Sequence, residues 1–231
     1  MMDITSKDLK EVLSRHMRWL RNEGGACANL SGADLSGSTM AGVNLSHAIL
    51  SGADLTGATL VRANLSGADL SGSILVGADL SRANFYRATL SEGNLSNAKL
   101  IRANLSGVDM SRVNCAHANL SGANLSRANL AGAELNEADL TGTDLERADL
   151  ALAELIGADL SGANLSYADL SYADLTRANL TRANLAGVDI SRANLAWANL
   201  AGANLTRADM TLADLNEADL TGATWPDGTK K

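Results

Sequence analysis

The chain has 231 residues, of which 46% are apolar, 19% charged and 3% aromatic, with a formal net charge of -7. This length is ample for a buried core, built here from Ala and Leu rather than rings, while one Pro and two cysteines exclude a Pro-rich stalk and a disulfide scaffold. The acidic balance disfavours direct nucleic-acid binding. In chain order, Met1 to Lys10 lacks the apolar stretch of a signal peptide, and no run of about 18 apolar residues follows, so the expectation is a cytoplasmic protein with no membrane segment. Residues 1–25 form an N-terminal segment in which Ser6 to Arg21 reads as an amphipathic helix. Ser6 is its candidate N-cap, and Leu9, Val12, Leu13, His16, Met17 and Leu20 share one face. Gly24 and Gly25 stop it, and the apolar face is expected to lid whatever follows, with Trp19 at its edge.

From Leu30 to Leu220 every fifth residue is apolar, giving 39 consecutive repeats without an insertion; 33 of these positions are Leu, the others being Met40, Phe85, Met110, Cys115, Ile190 and Met210. The residue two before is Ala in 31 repeats, and the residue just before is Asn or Asp in 31. A period of five fits neither the 3.6 of a helix nor the 2 of a strand, so the chain must turn to keep these positions on one side. A quarter turn per repeat points every Leu and Ala at one axis and closes a square coil in four repeats. Nearly ten such coils, stacked at the sheet spacing of ~4.8 Å, give a rod ~47 Å long. Asn and Asp are expected at the corners, where their side chains bond nearby backbone, with Ser, Thr and Gly following as turn formers.

The signature carried by Ala68-Asp69-Leu70 and Ala123-Asn124-Leu125 resembles the pentapeptide-repeat family over residues 28 to 222. That resemblance implies an all-β fold, a right-handed quadrilateral β-helix, here expected to fill residues 26–225 behind an N-terminal α-helical cap. Trp225 takes the next core position. Pro226-Asp227-Gly228 then breaks the pattern, leaving 226–231 as a C-terminal tail and a thinly covered last coil around Leu215 and Leu220, where a weak head-on homodimer is expected.

An uninterrupted square rod offers neither a deep pocket nor converging titratable groups, so no enzyme activity, cofactor or metal site is expected. His16, His47 and His117 read as cap or surface residues. Cys115 reads as an inert core thiol, too far from Cys27 to pair. A calcium ladder is disfavoured because an extended row of carboxylates does not wrap an ion. Charge placement is more informative. Residues 128–222 hold 15 acids and 5 bases, against 6 and 7 in residues 28–127. Counting repeats in fours from Leu30 puts Asp149, Asp169, Asp189 and Asp209 on one face and Glu134, Glu154 and Asp174 on the next. Tyr172 and Trp197 point outward there, as does Tyr167 nearby, with Leu152 and Leu212 on the side of Tyr172; aromatics of this kind anchor interfaces. Arg62, Arg82 and Arg102, with Lys99, form an opposite basic stripe.

The expected function is therefore a non-enzymatic protein-interaction module whose acidic edge binds a basic protein, with a structural spacer as the alternative. The family resemblance implies type II topoisomerases as one class of partner, bound by DNA mimicry. This chain departs from that subgroup in having Phe at only one core position, Phe85, and in having no projecting loops and no tail helix.

Overall fold

A computed structural model describes residues 2–3 and 6–230, with side chains from Asp8 onward. Strand β1 is Met2–Asp3, helix α1 is Ser6–Leu20 and strand β2 is Ala33–Asp34. Asp8 in the first turn of α1 and Arg18 in the last both complement the helix dipole. Of the predicted stripe, Leu9, Val12 and Leu13 are partly buried against the core and His16 is fully buried, accepting a 3.1 Å bond from the Ala28 amide at Nδ1, while Met17 and Leu20 stay half-exposed. The expected Ser6 side-chain cap lies outside the described residues. At its far end the chain reverses through bonds from the Glu23 amide to the Arg18 carbonyl (2.9 Å) and from the Ala26 amide to the Arg15 carbonyl (3.3 Å). Gly25 is required in that reversal: φ is +90°, and a Cβ would stand 2.1 Å from the Arg15 carbonyl oxygen. Strand β1, which no periodicity announces, pairs in parallel with β2 in the register Met2 to Ala33 and Asp3 to Asp34.

From Asn29 onward the backbone makes parallel bridges at a spacing of twenty residues, Asn29 to Ile49 through Asn204 to Thr224. Four repeats therefore make one coil, and each rung is held from both sides. The Leu30 amide donates to the Ile49 carbonyl at 2.7 Å, and the Ile49 amide donates to Ala28 at 2.9 Å. Faces one to four are numbered from the repeats of Leu30, Leu35, Met40 and Leu45. Each corner is a β-turn, such as the Ala33 amide to the Leu30 carbonyl at 3.1 Å. All 39 corner residues in the third turn position have positive φ; 17 are Gly and 22 are not, so an L side chain there bears left-handed strain of about 1 kcal/mol or more.

The expected placement of Asn and Asp is corrected in this frame. They occupy the flat bridging position, and the corner is made by the two residues after the Leu. Their side chains still serve the turn, reaching forward to the first corner amide, as Asn29 Oδ1 does from Ser31 at 3.1 Å. On face four they also bond between coils: Asn64, Asn84 and Asn104 each donate from Nδ2 to the Asn one coil earlier, at 3.2, 3.2 and 2.9 Å.

Leu and Ala fill the interior, with Leu125 at 0% and Ala123 at 1% exposure. Phe85, Met110 and Cys115 are as buried as the Leu residues that they replace. Thr143 stands at an Ala position and satisfies its hydroxyl on the Leu140 carbonyl at 2.8 Å. Beyond the repeats the chain folds back, with Thr224 bridging Lys230 antiparallel and the Trp225 amide donating to Thr229. Trp225 is half-buried at this reversal, while Met210, Leu215 and Leu220 are only partly covered. Among the described residues no helix is long and apolar enough to cross a membrane.

Candidate functional site

The sequence-derived carboxylates fall on two stacked columns of outward bridging positions. On face one, Asp149, Asp169, Asp189 and Asp209 are successive parallel partners; on face two, Glu134, Glu154 and Asp174 are likewise consecutive. The coil spacing brings each column together, and face two lies one corner away from face one.

The two residue types behave differently there. Each Asp turns Oδ1 to the next corner: Asp149 accepts from the Ala151 amide at 3.0 Å, Asp169 from Ser171 at 2.8 Å and Asp189 from Ser191 at 2.8 Å. Asp174 accepts the Thr176 amide at 2.9 Å and its hydroxyl at 2.5 Å. Asp209 accepts both groups of Thr211, at 2.9 and 2.6 Å, and these two bonds, the hydroxyl's foremost, hold its carboxyl below the usual Asp range. The longer Glu134 and Glu154 are exposed, and Glu154 takes a 3.0 Å bond from Asn136 Nδ2. Among the described residues none of the seven is ion-paired; the pairs formed are Arg112 with Glu92, His117 with Glu137 and Arg147 with Glu146.

Corners flank face two. The corner between faces one and two carries Leu152, Tyr172, Arg192 and Leu212 on four successive coils, and the opposite corner carries Ile156 and Trp197. Leu152, Tyr172, Trp197 and Leu212 are 66%, 53%, 59% and 73% exposed. All four have φ between 58° and 64°, a conformation Gly adopts without cost. Arg192 stacks on Tyr172 with its guanidinium 5.3 Å from the ring centre. Tyr167 lies apart, on the corner between faces four and one, under Arg147. The sequence reading did not single out Ile156 and Arg192, although reading the corner residues at intervals of twenty lines both up with this face.

The basic stripe is formed as expected, with Arg62, Arg82 and Arg102 on one corner around shallow clefts of about 430 Å³. A larger cleft of about 490 Å³ lies between α1 and the first coil, lined by Leu9, Leu13, Leu35, Met40 and Val43. No group of three or more His, Cys, Asp or Glu residues able to hold a metal occurs among the described residues. Cys115 is buried and its thiol is pushed up to about 12 by desolvation, and Cys27 is half-buried and unpaired with it.

Comparison with known proteins gives a consistent picture. The chain matches the family described as pentapeptide repeats in eight overlapping copies between residues 28 and 224, and no curated protein sequence matches it. Among solved structures it is similar to HetL, a pentapeptide repeat protein involved in heterocyst differentiation regulation from the cyanobacterium Nostoc sp. strain PCC 7120. The two are 40% identical, with 88% of this chain and 91% of that chain covered and a TM-score of 0.87. It also resembles QnrB1, a plasmid-mediated fluoroquinolone resistance protein, at 23% identity over 86% of this chain and 92% of that one, with a TM-score of 0.37. A second Nostoc PCC 7120 pentapeptide repeat protein is 40% identical over 42% of this chain and 83% of its own, with a TM-score of 0.38. Superpositions as loose as these last two carry no functional weight. The unbroken five-residue period, the twenty-residue bridges and the extent of the match together establish that the chain belongs to the pentapeptide-repeat family and folds as a right-handed quadrilateral β-helix.

Proposed function

We propose that this protein is a non-enzymatic, regulatory protein-interaction module that docks a basic protein surface on faces one and two of its C-terminal half. Glu134, Asp149, Glu154, Asp169, Asp174, Asp189 and Asp209 supply the charge, and Tyr172 and Trp197 the anchors. The observation that carries this reading is the absence of an ion-pair partner for any of the seven among the described residues, beside apolar side chains held outward. Desolvating such carboxylates against cations contributes specificity and association rate. With Glu137, Asp214 and Glu217 they make ten carboxylates over about 20 Å of rod, one per ~2 Å. Double-stranded DNA carries one charge per ~1.7 Å, so mimicry of DNA toward a DNA-binding partner belongs to the reading, with type II topoisomerases as one such class. The similarity to HetL, a protein involved in regulating differentiation, supports a regulatory role.

In this reading residues 26–225 are a rod of nearly ten coils, residues 1–25 cap it through α1, and 226–231 are a short tail. The last coil also favours weak head-on self-association: among the described residues the amides of Met210, Leu215 and Leu220 find no backbone acceptor, over a partly exposed apolar end. Sedimentation over a range of protein and salt concentrations tests this, since Glu217 and Asp219 repel across the contact until salt screens them. A strictly monomeric species would remove it.

The docking surface is tested by capturing partners from lysate with the full chain and with the Glu134→Gln, Asp149→Asn, Glu154→Gln, Asp169→Asn variant. The expected result is a basic protein retained by the first and lost by the second. Equal capture by both would overturn docking on these carboxylates, and capture of no protein by either would favour a structural spacer.

A further inference from the structure

We infer that the element received over face two is a basic amphipathic α-helix of the partner protein, lying along the rod axis between the two flanking corners; this rests on the docking reading above and names the partner's secondary structure. The backbone decides first. On the side of a solenoid every rung is spent between coils: the Leu155 amide donates to the Asp174 carbonyl at 2.7 Å and the Asp174 amide to Ala153 at 2.9 Å. Face two thus offers no free strand edge, and a partner can bring only side chains. Its own backbone groups must be satisfied within the docking element, a demand that a helix meets and a lone strand does not.

The dimensions agree. The floor between the corners is three extended residues wide, about 10 Å, against a helix diameter of ~10–12 Å. Along the axis the rail of Leu152, Tyr172, Arg192 and Leu212 steps ~4.8 Å per coil, with Arg192 stacked on Tyr172. Side chains on one face of a helix recur every three or four residues, ~4.5–6 Å. Same-face residues of a strand recur at ~6.8 Å and fall out of step within two coils. The five coils from Glu134 to Asp214 span ~19 Å, the length of roughly 13 helical residues.

Chemistry completes the match. An apolar stripe meets Leu152, Tyr172 and Leu212 on one side and Trp197 on the other, while Lys or Arg beside the stripe reaches the carboxylates of the floor. Leu152, Tyr172 and Leu212 stand at positive φ, as the other corner residues do, and their side chains are exposed to solvent.

The test uses three 18-residue peptides and calorimetric titration with circular dichroism. One has Leu at helical spacing among Lys; the second has the same composition with the Leu positions scrambled; the third is Lys and Ser at equal charge. We expect the patterned peptide to bind at least tenfold more tightly than either of the others and to gain helix on binding. The Leu152→Ser, Tyr172→Ser, Leu212→Ser variant, whose changes all point outward, should lose at least tenfold. Equal affinity of patterned and scrambled peptides, binding without helix gain, or no loss in the serine variant would overturn the helix. If all three peptides bind alike and Glu134→Gln, Glu154→Gln, Asp174→Asn abolishes it, the helix falls and docking of basic proteins stands; if none binds, both fall.

Discussion

Truncation of Leu125 to Ala probes the stacking that everything else depends on. Leu125 is fully buried on face four, between Leu105 and Leu145 of the neighbouring coils. Removing three carbons at ~0.8 kcal/mol each forfeits about 2.4 kcal/mol of transfer energy. The cavity left between rungs that cannot close up raises the expected loss to about 3–4 kcal/mol, a large part of the 5–15 kcal/mol typical of a domain. The twenty-residue coil makes a sharper claim about pairs. Leu145→Ala removes a neighbour one coil away, ~4.8 Å along the axis, so both truncations line a shared void. Leu45→Ala lies four coils off, ~19 Å away. Combined with Leu125→Ala, the distant change should add within about 0.5 kcal/mol, while the adjacent one should depart from additivity by more than that. Urea unfolding followed by far-ultraviolet circular dichroism measures all of these, with the slope checked for loss of two-state behaviour. A single loss below about 1 kcal/mol, or equal coupling at one coil and at four, would refute the inward stacking of this column.

Three further outcomes follow from local chemistry. Asp174→Asn keeps the acceptor used by Thr176 and should leave the thermal midpoint nearly unchanged, whereas Asp174→Ala strands a corner amide and should cost about 1 kcal/mol; equal effects of the two would show that the side-chain bond is idle. Cys115, buried with its thiol pushed up to about 12, should resist a disulfide reagent in the native protein and react only on unfolding; rapid native modification at this residue would contradict its place in the core. Burial, with His47 nearby, lowers the His16 pKa, and its Nδ1 accepts the Ala28 amide, which requires neutral imidazole. Because the folded value lies below the ordinary 6.5, the stability it contributes is complete above 6.5 and is lost as pH falls through the folded value. Acidification should therefore loosen α1 before the coils, seen as a change in Trp19 emission; an emission constant from about pH 7 to pH 4 would contradict this.

The strict five-residue period determined the solenoid by itself, because only a chain turning at each repeat keeps Leu and Ala inside. Helical spacing reached the stripe of α1 from Leu9 to His16, and counting in fives reached the columns of Asp149 and Glu134, since a register that never slips converts sequence distance into stacking. Tertiary structure decided what counting could not. A propensity for turns did not say which residue of the repeat stands in the corner; coil-to-coil bonding put Asn and Asp on the flat rungs and left-handed strain at Leu152, Tyr172 and Trp197. The pairing of Met2–Asp3 with Ala33–Asp34 was illegible because two residues carry no periodicity, and their partners come from beyond the helix. The docking face likewise became readable only once corners from successive coils stood side by side, because its rails are residues twenty apart that share nothing locally in the sequence.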